Sequence, residues 1–230
     1  MELFFDPTFE ASGNLSENES RHCISVLRHK KDDIITVANG QGHFYTCRII
    51  EPHPKRCGLE VIETKSFDKR NFNIHIAIAP TKNIDRFEWF LEKVTEIGIE
   101  TITPLLCDHS ERSKLRLDRM EKVLIAATKQ SLHPYKPIIH ELTPFKQFIT
   151  QPISNGFIAH CYPGTKTHLK DLYQSNQSAT ILIGPEGDFS KAEVELAQSK
   201  GLSPISLGNS RLRTETAGIV ACHIINLLNE

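Results

Sequence analysis

The first seventy residues alternate short apolar runs with turn residues. Ile34–Ala38 and His43–Ile50 are strand-like, Asn39-Gly40-Gln41-Gly42 between them has hairpin chemistry, and Gly58–Thr64 gives a further strand. One helix is predicted near Ser16–Leu27, where Ser16 and Glu19 have capping-box spacing. The polar stretch Phe67-Asp68-Lys69-Arg70-Asn71 then reads as a linker. From Asn73 onward the period changes. Ile74–Ala79 is strand-like, and Ile84, Phe87, Leu91, Val94 and Ile97 mark one face of a helix that Gly98 stops. A long helix is expected over Leu115–Ser131, and strands over Phe157–Ala159 and Thr180–Ile183. Ser190 and Glu193 open another helix with a capping box, Pro204–Leu207 is a short strand, and Thr214–Leu228 closes the chain as a helix. Such alternation predicts an α/β domain with a mostly parallel sheet covered on both faces. The expected domains are 1–70, small and β-rich, and 71–230, α/β.

Composition narrows the class. With 39% hydrophobic and 24% charged residues, the chain is an ordinary globular one rather than disordered or membrane-embedded. No apolar run is long enough to span a bilayer, and the start, Met1-Glu2-Leu3-Phe4-Phe5, lacks the pattern of a secretory signal. A cytoplasmic location is expected. The six cysteines are scattered and the eleven histidines form no ligand motif, so no metal is expected. A net charge of −1 argues at first against nucleic acid, but its distribution does not. Residues 20–31 hold Arg21, Arg28, Lys30 and Lys31 with His22 and His29 and no acid, and residues 108–136 are also rich in Lys and Arg.

Candidate chemistry concentrates in Ile183-Gly184-Pro185-Glu186-Gly187-Asp188 and in Leu207-Gly208-Asn209-Ser210-Arg211-Leu212-Arg213-Thr214-Glu215-Thr216-Ala217. Both follow an expected strand, which puts them at the carboxyl edge of the sheet, where open α/β folds bind ligands. Taken alone, the first is more simply a tight turn. Neither has the spacing of a phosphate loop or of a dinucleotide fingerprint, which sets a Rossmann dehydrogenase aside. The second adds Arg211, Arg213 and Glu215 at the start of an apolar helix, a place that favours anions and acids.

Together these two segments resemble the cofactor-binding region of the SPOUT-class methyltransferases, and more narrowly the family that methylates uridine N3 in 16S ribosomal RNA. His22-x-x-x-Val26-Leu27-Arg28 resembles that family's N-terminal RNA-contact motif. Lys93–Gly98 is similar to the first helix of its catalytic domain, and Ser110-Glu111-Arg112-Ser113 to the loop beyond. The likeness runs over nearly the whole chain in order. Three positions depart from it: Asp188 stands where glycine is usual, Lys129 where an acid is common, and His133 where arginine is common.

The resemblance implies a PUA-like or OB-like N-terminal β-barrel, a C-terminal α/β domain whose last segment threads a trefoil knot, and a homodimer. It implies S-adenosyl-L-methionine as cofactor and the 16S RNA of the small ribosomal subunit as partner. His160, Ile183, Gly184, Glu186, Gly187, Ser206, Leu207, Gly208, Leu212 and Thr216 are then the expected cofactor contacts, with a structural role as the alternative for His160. Arg213 and Glu215 are the candidate catalytic residues, Arg213 for charge on the uracil carbonyls and Glu215 for the base or its proton. Capping the last helix is the alternative for Glu215. His22, Arg28 and Lys30, together with Lys82, Arg86 and Arg112, are the expected RNA contacts, simple solvation being the alternative for Lys82 and Arg86. Two rival functions stay open: a SPOUT-class ribose 2′-O-methyltransferase, and a non-catalytic RNA-binding assembly factor.

Overall fold

The structure, a computed structural model, describes residues 2–230, apart from the side chain of Ala11. It divides into two compact units, one of residues up to Lys69 with Ile125–Lys136, the other of Arg70–Leu124 with Pro137–Glu230.

In the first unit, β1 (Leu3–Phe5) is followed by the short helices α1 (Phe9–Ser12) and α2 (Glu17–Arg21), a π turn at His22–Val26, and strands β2 (Ile34–Ala38), β3 (His43–Glu51) and β4 (Gly58–Ser66). The sheet runs β1-β2-β3-β4, parallel at β1–β2 and antiparallel elsewhere. Gly13–Leu15 lies along the start of β4, through an Asn14–Gly58 bridge and a bond from Leu59 N to Gly13 O. Alternation explains the core: Ile35 and Val37 of β2 and Tyr45, Cys47 and Ile49 of β3 turn inward onto Phe4, Phe9, Leu15 and Cys23. The capping box expected at Ser16 does not form. Glu19 instead pairs with Lys129 at 2.9 Å, a partner that its spacing from Ser16 does not announce. The helix expected to reach Leu27 also gives way to the π turn after Arg21.

The second unit contains β5 (Ile74–Ile78), α3 (Ile84–Ile97), β6 (Thr101–Leu106), α4 (Leu117–Ser131, whose second half belongs to the first unit), β7 (Ile138–Ile139) and β8 (Thr143–Pro144). There follow α5 (Phe145–Phe148), β9 (Gly156–Ala159), β10 (Thr167–His168), α6 (Leu169–Leu172), β11 (Ala179–Ile183), α7 (Lys191–Ser199), β12 (Ser203–Ser206) and α8 (Thr214–Leu227). The sheet order is β10-β12-β9-β11-β5-β6-β7, with β8 also on β6, and every pairing is parallel. Its two faces are both buried. Ile74, Ile76 and Ile78 of β5 join Phe87, Phe90 and Leu91 of α3 on one side, while Ala77 joins Leu105, Phe145 and Phe189 on the other. Helix α3 ends at Gly98, whose φ of 109° few other residues adopt.

Strand β6 was not legible, because Pro104 lies within it and proline is rare inside a sheet. The register shows how it is tolerated. On one side β6 pairs with β7 through Thr101 and Ile102, and with β8 through Leu105 and Leu106, so Pro104 falls in the gap between the two ladders. The path to α8 also matters for the site. Helix α8 packs on α3, β5 and β11, whereas β12 lies beyond β9, so residues 207–213 cross the carboxyl ends of β9 and β11. This crossing is the segment that the resemblance assigns to the knot.

Candidate functional site

At the carboxyl edge of β9, β11 and β12 lies a cavity of about 680 Å³, a size suited to a small organic ligand. Its first wall is the turn after β11. Gly184 fits closely there, since a Cβ would come to 3.0 Å from Phe189 N and from the Phe189 ring and would crowd both. The turn closes through a bond from Asp188 N to Pro185 O at 2.9 Å. Asp188 has φ of 65°, a left-handed conformation that glycine adopts freely and Asp tolerates better than most. Its carboxylate adds what glycine cannot: Oδ2 accepts from Cys161 N at 2.7 Å and ties the end of β9 to this turn.

Further bonds fix the same turn. Glu186 Oε1 accepts from Lys82 N at 2.9 Å, and His109 Nδ1 lies 3.0 Å from Asp188 O. The predicted capping box at Ser190 is formed in both directions, and Glu193, 2% exposed, also accepts from Asp108 N. The opposite wall is held more lightly. Ser206 Oγ bonds both N and O of Gly208, and Thr214 Oγ1 donates to Gly184 O at 3.0 Å, the bond that joins the two glycine segments.

His160 stands between the walls. Both its ring nitrogens are buried without a hydrogen-bond partner. Burial lowers its pKa, Lys166 lowers it further, and Asp188 opposes them. His160 lines the cavity with both polar atoms of its ring unused, and a ligand that reaches them meets a donor and an acceptor.

Of the expected cofactor contacts, His160, Ile183, Gly184, Glu186, Ser206, Leu207, Gly208 and Leu212 line this cavity, as does Arg213. Gly187 and Thr216 do not. Glu215 does not line it either: it is the second residue of α8, 5% exposed, with Oε2 buried and unpartnered and Oε1 4.0 Å from Arg86 Nε. The N-cap position of α8 belongs to Arg213, whose side chain makes no cap bond. Cys161, Lys166, Asn209 and Ser210 also line the cavity. Sequence reading missed Cys161 and Lys166 because only the strand order puts the exit of β9 beside that of β11.

The expected RNA contacts fall in both units. Lys82 is 2.7 Å from Glu111, and Arg112 donates to the carbonyls of Thr81 and Lys82, so its guanidinium braces the loop after β5. His22 opens the π turn, Arg28 has a positive φ of 63°, and both Arg28 and Lys30 are exposed. His22 and His29 each make an edge contact with Phe4, and the Lys129 ammonium lies 5.7 Å from the same ring. Among the described residues no three His, Cys, Asp or Glu side chains gather as metal ligands would.

The model of an RNA methyltransferase domain matches residues 68–226, and that of an RNA methyltransferase PUA domain matches residues 15–62. The chain belongs to this RNA methyltransferase family. Its curated relatives include the ribosomal RNA small subunit methyltransferase E of Aquifex aeolicus, 26% identical over 98% of this chain and 99% of that one, and its namesake from Bacillus subtilis, 27% identical over 97% and 91%. Among solved structures the chain is similar to a probable rRNA-methyltransferase from Porphyromonas gingivalis, with a TM-score of 0.93 and 40% identity over 100% and 98% of the two chains. It is also similar to the ribosomal RNA small subunit methyltransferase E from Neisseria gonorrhoeae bound to S-adenosyl methionine, with a TM-score of 0.86 and 26% identity over 100% and 98%. The α/β fold with an N-terminal PUA-like unit is therefore that of the family.

Proposed function

We propose that the chain transfers the methyl group of S-adenosyl-L-methionine to N3 of a uridine in 16S ribosomal RNA of the small ribosomal subunit. The observation that carries this reading is the cavity between the two glycine segments, in a chain whose relatives are named for small-subunit ribosomal RNA methylation. The cavity fits the cofactor. Ile183, Leu207, Leu212 and Ala217 offer apolar wall for a flat adenine, and the unpartnered His160 nitrogens offer hydrogen bonds. Bound there, S-adenosyl-L-methionine supplies an electrophilic methyl group. The protein's share is then to orient the uracil, exclude water and stabilise charge.

In this reading the backbone of Gly184–Gly187 and Ser206–Leu212, with His160, holds the cofactor. Arg213, exposed at the rim, meets the RNA on the substrate side. His22, Arg28 and Lys30 of the N-terminal unit, with Lys82, bind phosphate and position the RNA without reading its sequence, and Arg86 meets the RNA beside the cavity. Arg112 acts by bracing the loop that carries Lys82. Residues 1–70 serve chiefly as the RNA-binding domain and residues 71–230 as the methyltransferase domain. The protein works as a homodimer in the cytoplasm; among the described residues no helix is long and apolar enough to cross a membrane.

Calorimetric titration with S-adenosyl-L-methionine, followed by transfer of labelled methyl to unmodified small subunits, tests the reading. The expected result is binding and transfer in the natural chain, with transfer lost but binding kept in Arg213→Ala. Binding without transfer to any RNA would favour a non-catalytic assembly factor and overturn the proposal.

A further inference from the structure

Arg86 and Glu215 lie outside the cavity but at the same edge of the sheet. Arg86 is in the first turn of α3, which follows β5, and Glu215 is in the first turn of α8; β5 is the immediate neighbour of β11. The loop after β5 is bound to the cavity turn through Lys82 N and Glu186 Oε1, and Arg86 follows one turn further on in α3. The side chain of Glu215 is 6% exposed and that of Arg86 44%. The acid is thus anchored in the protein while the cation reaches toward solvent.

A carboxylate is costly to bury, and one kept only for stability has its oxygens satisfied. Glu215 Oε2 is not. Helix α8 does not use the side chain as its N-cap, and Glu215 adds nothing to the cavity wall. What the carboxylate does have is Arg86, and its negative charge restricts where that guanidinium can go.

We infer that Arg86, positioned by the buried carboxylate of Glu215, is the cation that stabilises the uracil ring as it loses its N3 proton. This rests on the proposed N3 methylation and deepens it. Uracil N3–H is a weak acid whose anion spreads charge over N3 and the two carbonyl oxygens. The proton leaves to solvent, the N3 electron pair forms the bond to the methyl carbon, and the carbon–sulfur bond breaks with its electrons going to sulfur. One proton is released and the sulfonium charge disappears. Arg86 contributes charge throughout without exchanging a proton, and a fixed cation beside a developing anion is the largest kind of contribution such a site makes. Arg86 is then catalytic, and Glu215 is a positioning residue.

The test follows methyl transfer from pH 6 to pH 9 on small subunits assembled with ordinary 16S RNA, and on others in which 5-fluorouridine, with its more acidic N3–H, replaces uridine. Arg86→Ala is expected to lose about a hundredfold in kcat at neutral pH, to shift its pH profile upward, and to recover much of the loss on the fluorinated RNA. Glu215→Ala and Glu215→Gln, which both remove the negative charge that holds the guanidinium, behave like Arg86→Ala, Glu215→Asp, which keeps that charge, retains part of the activity, and the double alanine variant is no worse than either single one. Calorimetric affinity for S-adenosyl-L-methionine stays unchanged in Arg86→Ala, and ¹⁹F spectra of the bound RNA show N3 ionising at lower pH with the natural enzyme than with the variant. Arg86→Lys, which retains the charge, serves if the alanine variant does not fold, and is expected to keep the natural pH profile.

An unshifted pH profile with an equal defect on both RNAs overturns the inference, as does a Glu215→Gln variant as active as the natural enzyme. If the natural enzyme makes no 3-methyluridine, the functional reading itself fails. If it does and Arg86→Ala is as fast, only this inference fails.

Discussion

Two histidines at opposite edges of one parallel sheet show how a ligand site differs from a packed edge. His75, at the start of β5, and His160, just after β9, are both partly buried, and burial lowers the pKa of each. His75 Nε2 is 2.8 Å from Thr103 Oγ1, and its ring lies against those of Phe148 and His140. His160 is likewise near a ring, that of Tyr162, but neither nitrogen has a partner. Burial with unequal satisfaction marks the difference: at the amino edge the polar group is consumed by the fold, and at the carboxyl edge it is left for something else.

The largest expected effect separates the two by pH. Burial, helped by His140, brings His75 from 6.5 down to about 4. The unfolded chain therefore takes up a proton before the folded one does, and stability falls as pH drops from about 6.5 to about 4, by about 3 kcal/mol. Urea unfolding at pH 7 and pH 4.5 measures this, and His75→Leu is expected to flatten much of that slope. Next in size is Gly184→Ala, which crowds Phe189 and is expected to cost about 1–3 kcal/mol and to weaken cofactor binding in calorimetry.

Replacing each histidine by leucine tests the contrast itself. His75→Leu leaves the Thr103 hydroxyl, on a residue 3% exposed, without its partner and is expected to destabilise the protein by about 1–3 kcal/mol at pH 7. His160→Leu removes two unsatisfied atoms, so the melting temperature of the free protein should hold or rise while cofactor affinity falls. A His160→Leu protein that melts lower and binds as well would erase the distinction. Smallest is Ser190→Ala, at a polar group of the carboxyl edge that is satisfied, where loss of the capping box should cost about 1 kcal/mol in thermal unfolding.

The same contrast explains what the sequence disclosed. The strands at Ile74 and Thr180, the α3 stripe ending at Gly98 and the capping box at Ser190 are local patterns, and each is present in the fold. Ser16 carried the same capping signal and failed: its N–H donates to Asp6 Oδ2 at 2.6 Å and Glu19 is drawn to Lys129, both partners set by tertiary structure. Strand β6 was hidden by Pro104, whose acceptability depends on a gap between two partner strands. In the site, glycine spacing pointed to both walls of the cavity. Cys161, Lys166 and the link from Asp188 to Cys161 depended on strand order, and the facing of Glu215 toward Arg86 on how α3 and α8 pack. Neither is written in any short stretch of the chain.

The most direct measurement of the central claim is nucleoside mass spectrometry of 16S RNA from unmodified small subunits incubated with the protein and S-adenosyl-L-methionine. The account predicts 3-methyluridine, absent when the cofactor is omitted. A ribose-methylated nucleoside in its place, or no new nucleoside, would contradict it.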